Sequence, residues 1–324
     1  MSNSFKTIGA VGTALFSMFI ACNTWAQEPR ELYDGMKAGK CAENSEHLHE
    51  QAVAGDLEAQ TQFGKAIQEN LCGVVEQWSP GMPEEWFRKA AEQGNAEAQV
   101  GLAEELSWDR SVEGEDAGVY WDLKAAEQGN AKAQFSLAQI YHRGGRSIKN
   151  LKDMDKALAY YNQSAEGGYV MAYMLLAHIY EEGDGVPQSD VTAANWFRKA
   201  AEAGDASGQN NFAEMLATGR GVEKDEKLAV AWYRKSALQG NKYSQYELAQ
   251  MLEQGRGTER NEREAAKLYR QSADADFGNA QLALGKMYAQ GRGGLPKSRS
   301  KAEFWMLKAV GRYAPGAKEE LEKL

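Results

Sequence analysis

The sequence has little of what enzymes and metal proteins use. Its 324 residues contain four histidines, and none of His47, His49, His142 and His178 lies in a His-Glu-x-x-His pattern. His47 and His49 are two residues apart, so a helix would point them in different directions. No Gly-x-Ser-x-Gly nucleophile motif is present. We therefore expect no catalytic residue, no cofactor and no metal site.

Long apolar runs are equally scarce. Residues 8–21 form a predominantly apolar run that is too short to span a bilayer comfortably, and a single positive charge, Lys6, precedes it. Thr24 and Ala26 then fit the last positions of a cleavage site, so the sequence predicts a secretory signal peptide over residues 1–26. A lipid anchor at Cys22 is the alternative, although the usual leucine three residues before it is absent.

Basic residues are also in deficit. The chain has 37 Lys and Arg against 46 Asp and Glu, a net charge of −9, which becomes −10 when Lys6 is removed with the signal peptide. Such a chain lacks the positive surface that holds phosphates, so we expect no nucleic acid partner. A basic protein partner is better matched. No later stretch is apolar enough for a membrane span, and we expect a periplasmic or secreted protein.

What the chain has in abundance is an internal repeat. The phrase Lys-Ala-Ala-Glu-Gln-Gly-Asn-Ala at residues 89–96 recurs at residues 124–131, and looser copies follow. Eight small residues mark equivalent points, at steps of 35–39 residues. These anchors are Ala59, Ala98, Ala133, Ala172, Gly208, Ser244, Ala280 and Ala317. Such a regular spacing is the sequence signature of a repeat fold.

Each of the first seven anchors begins a pattern with helical period. Four residues after it stands Leu or Phe, five after it Ala or Gly, and eight after it Leu, Ile or Tyr. These offsets share one face of a helix, which we call helix A and expect to pack through that face. A Gly-containing loop follows, and then a second helix, helix B, with a pair of large residues such as Trp196-Phe197 or Trp232-Tyr233.

These motifs resemble the Sel1-like repeat family, a relative of tetratricopeptide arrays. The resemblance implies an all-α, αα-hairpin repeat solenoid, a right-handed superhelix of about seven repeats. We expect an N-terminal segment with a capping half-repeat over residues 27–54, seven repeats over residues 55–310 and a C-terminal capping helix over residues 311–324. Three departures affect loops: a Pro-containing loop at residues 77–83, an irregular acidic loop at residues 107–117, and Asp276 in place of a turn glycine.

The family resemblance makes one catalytic alternative worth keeping. Some secreted Sel1-like proteins have been linked to β-lactam binding or hydrolysis, and Ser298-Arg299-Ser300-Lys301 fits a Ser-x-x-Lys motif. The accompanying Ser-Asp-Asn and Lys-Thr-Gly motifs are absent. Ser298 also falls where a helix B should begin, so we interpret it as an N-cap. A β-lactamase-like or penicillin-binding activity remains the alternative to a binding function.

The residues that the repeat leaves free define a candidate binding surface. Offsets 2, 6 and 9 from the anchor lie opposite the packing face of helix A, and offset 9 includes His142, Glu181 and Glu253. In related solenoids the A helices line the concave surface. Apolar and polar side chains alternate there, as in protein interfaces. The candidate binding residues are Phe135, Gln139, Met174, His178, Asn210, Glu214, Tyr246 and Gln250. The other interpretation is that offset 2 packs between successive A helices.

The resemblance implies a protein-binding scaffold or adaptor. Immunity against an effector of type VI secretion, envelope signalling and host interaction are the roles that it suggests, and an immunity protein is the most concrete of them.

Two cysteines remain after the predicted cleavage, and their placement predicts a disulfide. Cys41 lies 14 residues before the turn at Gly55, and Cys72 lies 17 residues after it. At about 1.5 Å per residue, two antiparallel helices would bring both to the same edge of the hairpin.

Overall fold

A computed structural model describes residues 27–74, 83–108, 111–144 and 152–324. The predicted signal peptide with Cys22, and all of the Pro-containing loop except its last residue, lie outside these ranges. Within them the chain is helical and contains no strand. It divides into two compact units, residues 1–169 and residues 170–324.

The described helices of the first unit are α1 (Pro29–Lys37), α2 (Ala42–Val53), α3 (Leu57–Gln68), α4 (Pro83–Glu92), α5 (Ala96–Trp108), α6 (Val112–Glu127), α7 (Ala131–Arg143) and α8 (Met154–Glu166). Those of the second are α9 (Val170–Glu182), α10 (Asp190–Glu202), α11 (Ala206–Thr218), α12 (Glu226–Leu238), α13 (Lys242–Gln254), α14 (Glu262–Asp274), α15 (Gly278–Gln290), α16 (Arg299–Gly311) and α17 (Ala317–Glu322). The odd-numbered helices from α3 to α15 are A helices, and the even-numbered helices from α4 to α16 are B helices.

The turn from helix B to the next helix A has a recurring construction. A glycine with positive φ ends the preceding helix in all but the last of these turns, and in five of them the next residue, Asp or Asn, caps helix A with its side chain. Asn130 accepts from the backbone N–H of Ala133 at 3.1 Å, and Asn241 accepts from that of Ser244 at 3.0 Å. In the last such turn Asp276 replaces the glycine and takes the left-handed conformation itself, with φ of 64°.

The core follows the predicted columns. All eight anchors are buried, and so is the large residue four positions after each of the first seven. The small residues five positions after an anchor are buried too, because the neighbouring B helix approaches the A helix there. A Cβ added to Gly285 would lie 2.7 Å from Met306 Cγ and 3.2 Å from the carbonyl oxygen of Ala302, both on α16. The predicted packing face of helix A is therefore confirmed.

A buried glutamine joins successive helices. In six of the A helices the residue after the anchor is Gln, and its Nε2 donates to a carbonyl oxygen near the end of the preceding helix at 3.2–3.4 Å. Each of these carbonyl oxygens also accepts from the backbone N–H of the turn residue three positions later, so the glutamine adds a second hydrogen bond that ties helix A to the end of the preceding helix. The helical periodicity of the sequence does not by itself predict this role of the glutamine.

The large pair of helix B splits into two roles. The second residue of each pair is buried, as Phe197 and Tyr233 are. The first is half-buried or exposed, and a lysine ammonium often lies over its ring: Lys199 over Trp196 at 4.0 Å and Lys235 over Trp232 at 3.9 Å. Only the second residue of each pair is therefore fully part of the hydrophobic core.

Two local expectations needed correction. Residues 107–117 are not an irregular loop: α5 runs to Trp108 and α6 begins at Val112. Ser111 caps α6 by accepting from the N–H of Gly114 at 3.0 Å, and acidic residues in the first turn favour the helix dipole. The second correction is α1, which the repeat pattern did not predict, since it lies before the first repeat.

The structure contains the disulfide between Cys41 and Cys72. Their Cα atoms are 5.3 Å apart, a normal separation for a disulfide, and the bond closes a loop with a sequence separation of 31 residues. It ties the start of α2 to the turn after α3.

Candidate functional site

The offset-2 and offset-6 positions of the A helices, which we call the A-helix face, differ in burial. At offset 2, Phe135, Met174, Asn210 and Tyr246 are half-buried, while Thr61, Val100 and Leu282 are buried. At offset 6, Gln139, His178 and Gln250 are half-buried and Glu214 is exposed. The eight candidate residues are thus partly open to solvent, and offset 2 also packs against neighbouring elements.

The apolar candidates illustrate this double role. The ring of Phe135 lies 5.7 Å from that of Tyr161 and 5.2 Å from that of Tyr169. The ring of Tyr246 lies 5.2 Å from that of Phe277, and its hydroxyl accepts from Gln250 Nε2 at 2.7 Å. These side chains are held in place before any partner arrives, which lowers the entropy cost of binding.

In the first unit the A-helix face borders a cleft of about 440 Å³ between α1, α3, α5 and the start of α7. Charged side chains line it in opposite pairs. Lys132 Nζ lies 2.6 Å from Glu104 Oε1, and Lys65 pairs with Glu97. On the α1 side, Lys37 Nζ lies 3.2 Å from Glu69 Oε2, and the hydroxyl of Tyr33 donates to the other oxygen at 2.6 Å. The cleft therefore offers both signs of charge to a ligand.

A buried carboxyl group lies elsewhere in the first unit. Asp122 on α6 is 5 % exposed, and its Oδ2 accepts from the hydroxyl of Ser136 on α7 at 2.5 Å. Burial raises the pKa of this carboxyl to about 7. The hydrogen bond from Ser136 acts in the opposite direction, but its effect is smaller.

In the second unit, arginines of the Gly-Arg-Gly loops join one repeat to the next. Arg220 Nη2 lies 2.5 Å from Glu181 Oε1, and Arg292 Nη2 lies 2.9 Å from Glu253 Oε1. Both glutamates stand nine residues after an anchor. The arginines also approach the start of the preceding helix B, where Arg292 contacts Glu262 at 2.9 Å. Hydrogen bonds from Arg292 and Arg260 lower the pKa of Glu262 to about 2.

The same offset-9 position receives the hydroxyl of a buried tyrosine of helix B. Tyr269 donates to Glu253 Oε2 at 2.7 Å, and in the first unit the hydroxyl of Tyr161 lies 3.3 Å from His142 Nδ1. The repeat at residues 206–241 has Ala217 at this position. Its tyrosine, Tyr233, consequently has no hydrogen-bond partner in the described part of the second unit, although the residue is only 2 % exposed.

The histidines serve packing and pairing. His49 lies against the rings of Phe63 and Trp86 at 5.0 and 5.9 Å, and His178 Nδ1 lies 3.1 Å from Glu181 Oε2. In the described ranges no three His, Cys, Asp or Glu side chains come together as a group that could hold a metal ion. No helix within those ranges is long and apolar enough to cross a membrane.

The Ser-x-x-Lys match has a structural role. Ser298 caps α16 by accepting from the N–H of Lys301 at 3.3 Å, as the sequence predicted. The ammonium of Lys301 lies over the ring of Tyr288, 5.4 Å from its centre. Both members of the motif are thus engaged within the repeat.

These features define an α-helical repeat protein with an open, chemically varied A-helix face. The Sel1 repeat model matches residues 84–95, 96–130, 131–169, 170–205, 206–241, 242–277 and 278–310. The chain therefore belongs to the Sel1 repeat family, whose repeats mediate protein–protein interaction. No curated protein matches its sequence.

Solved structures agree with this assignment. One is c5321, a protective antigen of uropathogenic Escherichia coli strains with an SLR fold, which is 30% identical with a TM-score of 0.72; the match covers 86% of this chain and 58% of that one. A Sel1 repeat protein from Oxalobacter formigenes is 27% identical with a TM-score of 0.59, over 77% and 96% of the two chains. The immunity protein Pa5087 from Pseudomonas aeruginosa is 21% identical over 67% and 81%, but its TM-score of 0.36 supports no argument about function.

Proposed function

We propose that this protein is an exported scaffold of the bacterial envelope that binds a basic protein partner through its A-helix face. The observation that carries the proposal is the contrast between the two faces of helix A. The packing face repeats small and large apolar residues throughout, whereas offset 6 changes from Lys65 and Glu104 to Gln139, His178 and Glu214 and stays at least half-open. Variation on an open surface over a constant core is what recognition of a specific partner requires.

Charge supports a basic partner. The whole chain carries −9, and in the second unit Glu214 lies on this face without an ion pair. Opposite charge on a partner would speed association, and added salt would slow it. The signal-peptide pattern over residues 1–26 supports export, and a protective antigen among the structural relatives fits such a location. Immunity against a secreted toxic effector is the narrower form of the proposal, because such a protein needs export and a complementary surface but no active site.

The proposal is tested by site-specific photo-crosslinking in the native host. A benzophenone amino acid placed at Glu214 or Gln250 reports on the A-helix face, and the same residue at Arg198 or Lys267 reports on the outer face of helix B. All four side chains are exposed or half-buried. We expect the crosslinker at Glu214 and at Gln250 to capture the same protein. At Arg198 and Lys267 it should capture none. Capture of that protein mainly from Arg198 and Lys267 would place the binding surface elsewhere.

Narrowing the role to immunity needs a functional readout. The captured protein would be expressed in the periplasm with and without this chain. Growth arrest that the chain relieves supports immunity, and a harmless partner refutes it while leaving the scaffold proposal in place.

A further inference from the structure

The B helices of the second unit carry basic side chains on one face. On α14 the spacing of Arg263, Lys267 and Arg270 places all three on the same side of the helix. The first and last of these positions are basic in neighbouring repeats too, at steps of 36 residues. The whole set, which we call the basic stripe, is Arg198 on α10, Lys227 and Arg234 on α12, Arg263, Lys267 and Arg270 on α14, and Arg299 on α16. Arg270 is half-buried and the other six are exposed.

The first unit has the opposite charge at the same place. Lys227, Arg263 and Arg299 each stand six residues before the buried member of the large pair of helix B, where α6 and α8 have Glu115 and Asp155. The helices α4, α6 and α8 contain four Lys and Arg against ten Asp and Glu, whereas α10, α12, α14 and α16 contain eleven against seven. The second unit therefore has a basic surface that the net charge of the whole chain does not indicate.

Neighbouring carboxylates leave most of this charge uncompensated. Glu226 and Glu262 precede stripe residues directly, but loop cations bind them: Lys224 Nζ lies 3.0 Å from Glu226 Oε1, and Arg292 Nη2 lies 2.9 Å from Glu262 Oε1. Within the stripe, Arg234 pairs with Glu264. Four of its members form no ion pair with any residue that the structure describes: Lys227, Arg263, Lys267 and Arg299. The stripe thus presents free positive charge to solvent.

Apolar side chains accompany the stripe on the same helices. Phe304 and Leu307 are each 53% exposed, and Leu228, next to Lys227, is 41% exposed. Trp196 and Trp232 are half-buried, and each has a lysine ammonium over its ring. Aromatic rings beside Lys and Arg are typical of surfaces that lie at the boundary between lipid headgroups and acyl chains.

We propose that the basic stripe binds the headgroups of an anionic phospholipid membrane. Charge complementarity supports this occupant, because each Lys or Arg near an anionic bilayer strengthens binding about fivefold. An acidic protein would match the charge, but the exposed Phe304 and Leu307 favour a surface with an apolar interior. The inference rests on the proposed location in the envelope. It goes beyond the proposed function, because it assigns a second surface to the B helices while the A-helix face binds the protein partner.

The test is cosedimentation of the whole mature chain, residues 27–324, with lipid vesicles. One set of vesicles contains phosphatidylcholine alone, and the other contains phosphatidylcholine mixed with phosphatidylglycerol. We expect the chain to sediment with the anionic vesicles, to stay in solution with the zwitterionic ones, and to be released by added sodium chloride. Soluble polyglutamate serves as an acidic chain without an apolar interior, and we expect it to bind more weakly than the anionic vesicles.

Matched variants locate the surface. The triple variant Lys227→Gln, Arg263→Gln and Arg299→Gln should bind anionic vesicles about a hundredfold more weakly than the wild type. The control is Lys242→Gln, Lys286→Gln and Lys318→Gln, which removes the same number of charges from α13, α15 and α17 and should bind almost as the wild type does. Circular dichroism establishes that both variants are folded, as expected for changes outside the core.

Three results would overturn the inference: equal binding to the two kinds of vesicle, equal affinity of the two triple variants, or binding to polyglutamate without binding to vesicles. These outcomes are separable from those for the proposed function. Capture of a protein from Glu214 and Gln250 without vesicle binding would refute the membrane surface and leave the scaffold function intact. Vesicle binding through the stripe without such capture would do the reverse.

Discussion

Replacing Asp122 by asparagine should make the protein more stable at neutral and alkaline pH. Burial raises the pKa of this carboxyl from 3.8 to about 7, a shift of about 3 pH units, and each unit corresponds to about 1.4 kcal/mol. The folded state therefore holds the proton more tightly than the unfolded chain. Its contribution to stability is complete below pH 3.8 and is lost as the pH rises through about 7. Asparagine is neutral throughout and keeps an oxygen that can accept from Ser136.

The predicted quantity is the difference in free energy of unfolding between the variant and the wild type. The free energy of unfolding of Asp122→Asn minus that of the wild type should be near zero at pH 4 and approach about 4 kcal/mol at pH 8. Urea denaturation followed by circular dichroism at both pH values measures it. Glu127→Gln, which removes an exposed carboxylate from the same helix, should follow the wild type. If the pH dependence of Asp122→Asn matches that of the wild type, the carboxyl of Asp122 is ionised in the fold and the argument from burial fails.

Three other changes test the packing. Ala213→Leu should cost about 1–3 kcal/mol by overpacking a fully buried contact, and an unchanged melting temperature would refute the column of small residues. Cys41→Ser should expose the thiol of Cys72 to alkylating reagents and cost about 3–4 kcal/mol; two free thiols in wild-type protein purified from periplasm would contradict the disulfide. Gly257→Ala should lower the melting temperature more than Gly240→Ala does. Both glycines have positive φ, but only at Gly257 would the new Cβ meet a backbone oxygen, at 2.2 Å. Equal decreases in melting temperature would mean that the loop does not pack as described.

The periodicity of the sequence predicted the fold well because each repeat must pack on its neighbour in the same way. The anchor and the residues four and five positions later are forced to be small, large and small in every repeat. Asp276 shows how strict the turn is: the residue adopts a glycine conformation although it is not glycine. Elements outside the repeats could not be predicted from the periodicity. The clearest case is α1, which precedes the first repeat.

The polar part of the site was predicted less completely. Glutamine after the anchor recurs in six repeats, but its role could not be predicted, since its acceptor belongs to another helix and only the folded chain brings the two together. The significance of Tyr233 was hidden for a different reason. Nothing in the repeat pattern marks Ala217 as unusual until the structure shows what Glu253 does for Tyr269.

The central claim, that a basic partner binds the A-helix face, is tested most directly by the affinity of a charge-reversal variant for the captured partner. Glu214→Lys changes an exposed side chain on that face, and Glu202→Lys makes the same change at an exposed position at the end of a helix B. Isothermal titration calorimetry at two salt concentrations should show at least a tenfold loss of affinity and a weaker salt dependence for Glu214→Lys, and no change for Glu202→Lys. Unchanged affinity in Glu214→Lys together with a loss in Glu202→Lys would contradict the account.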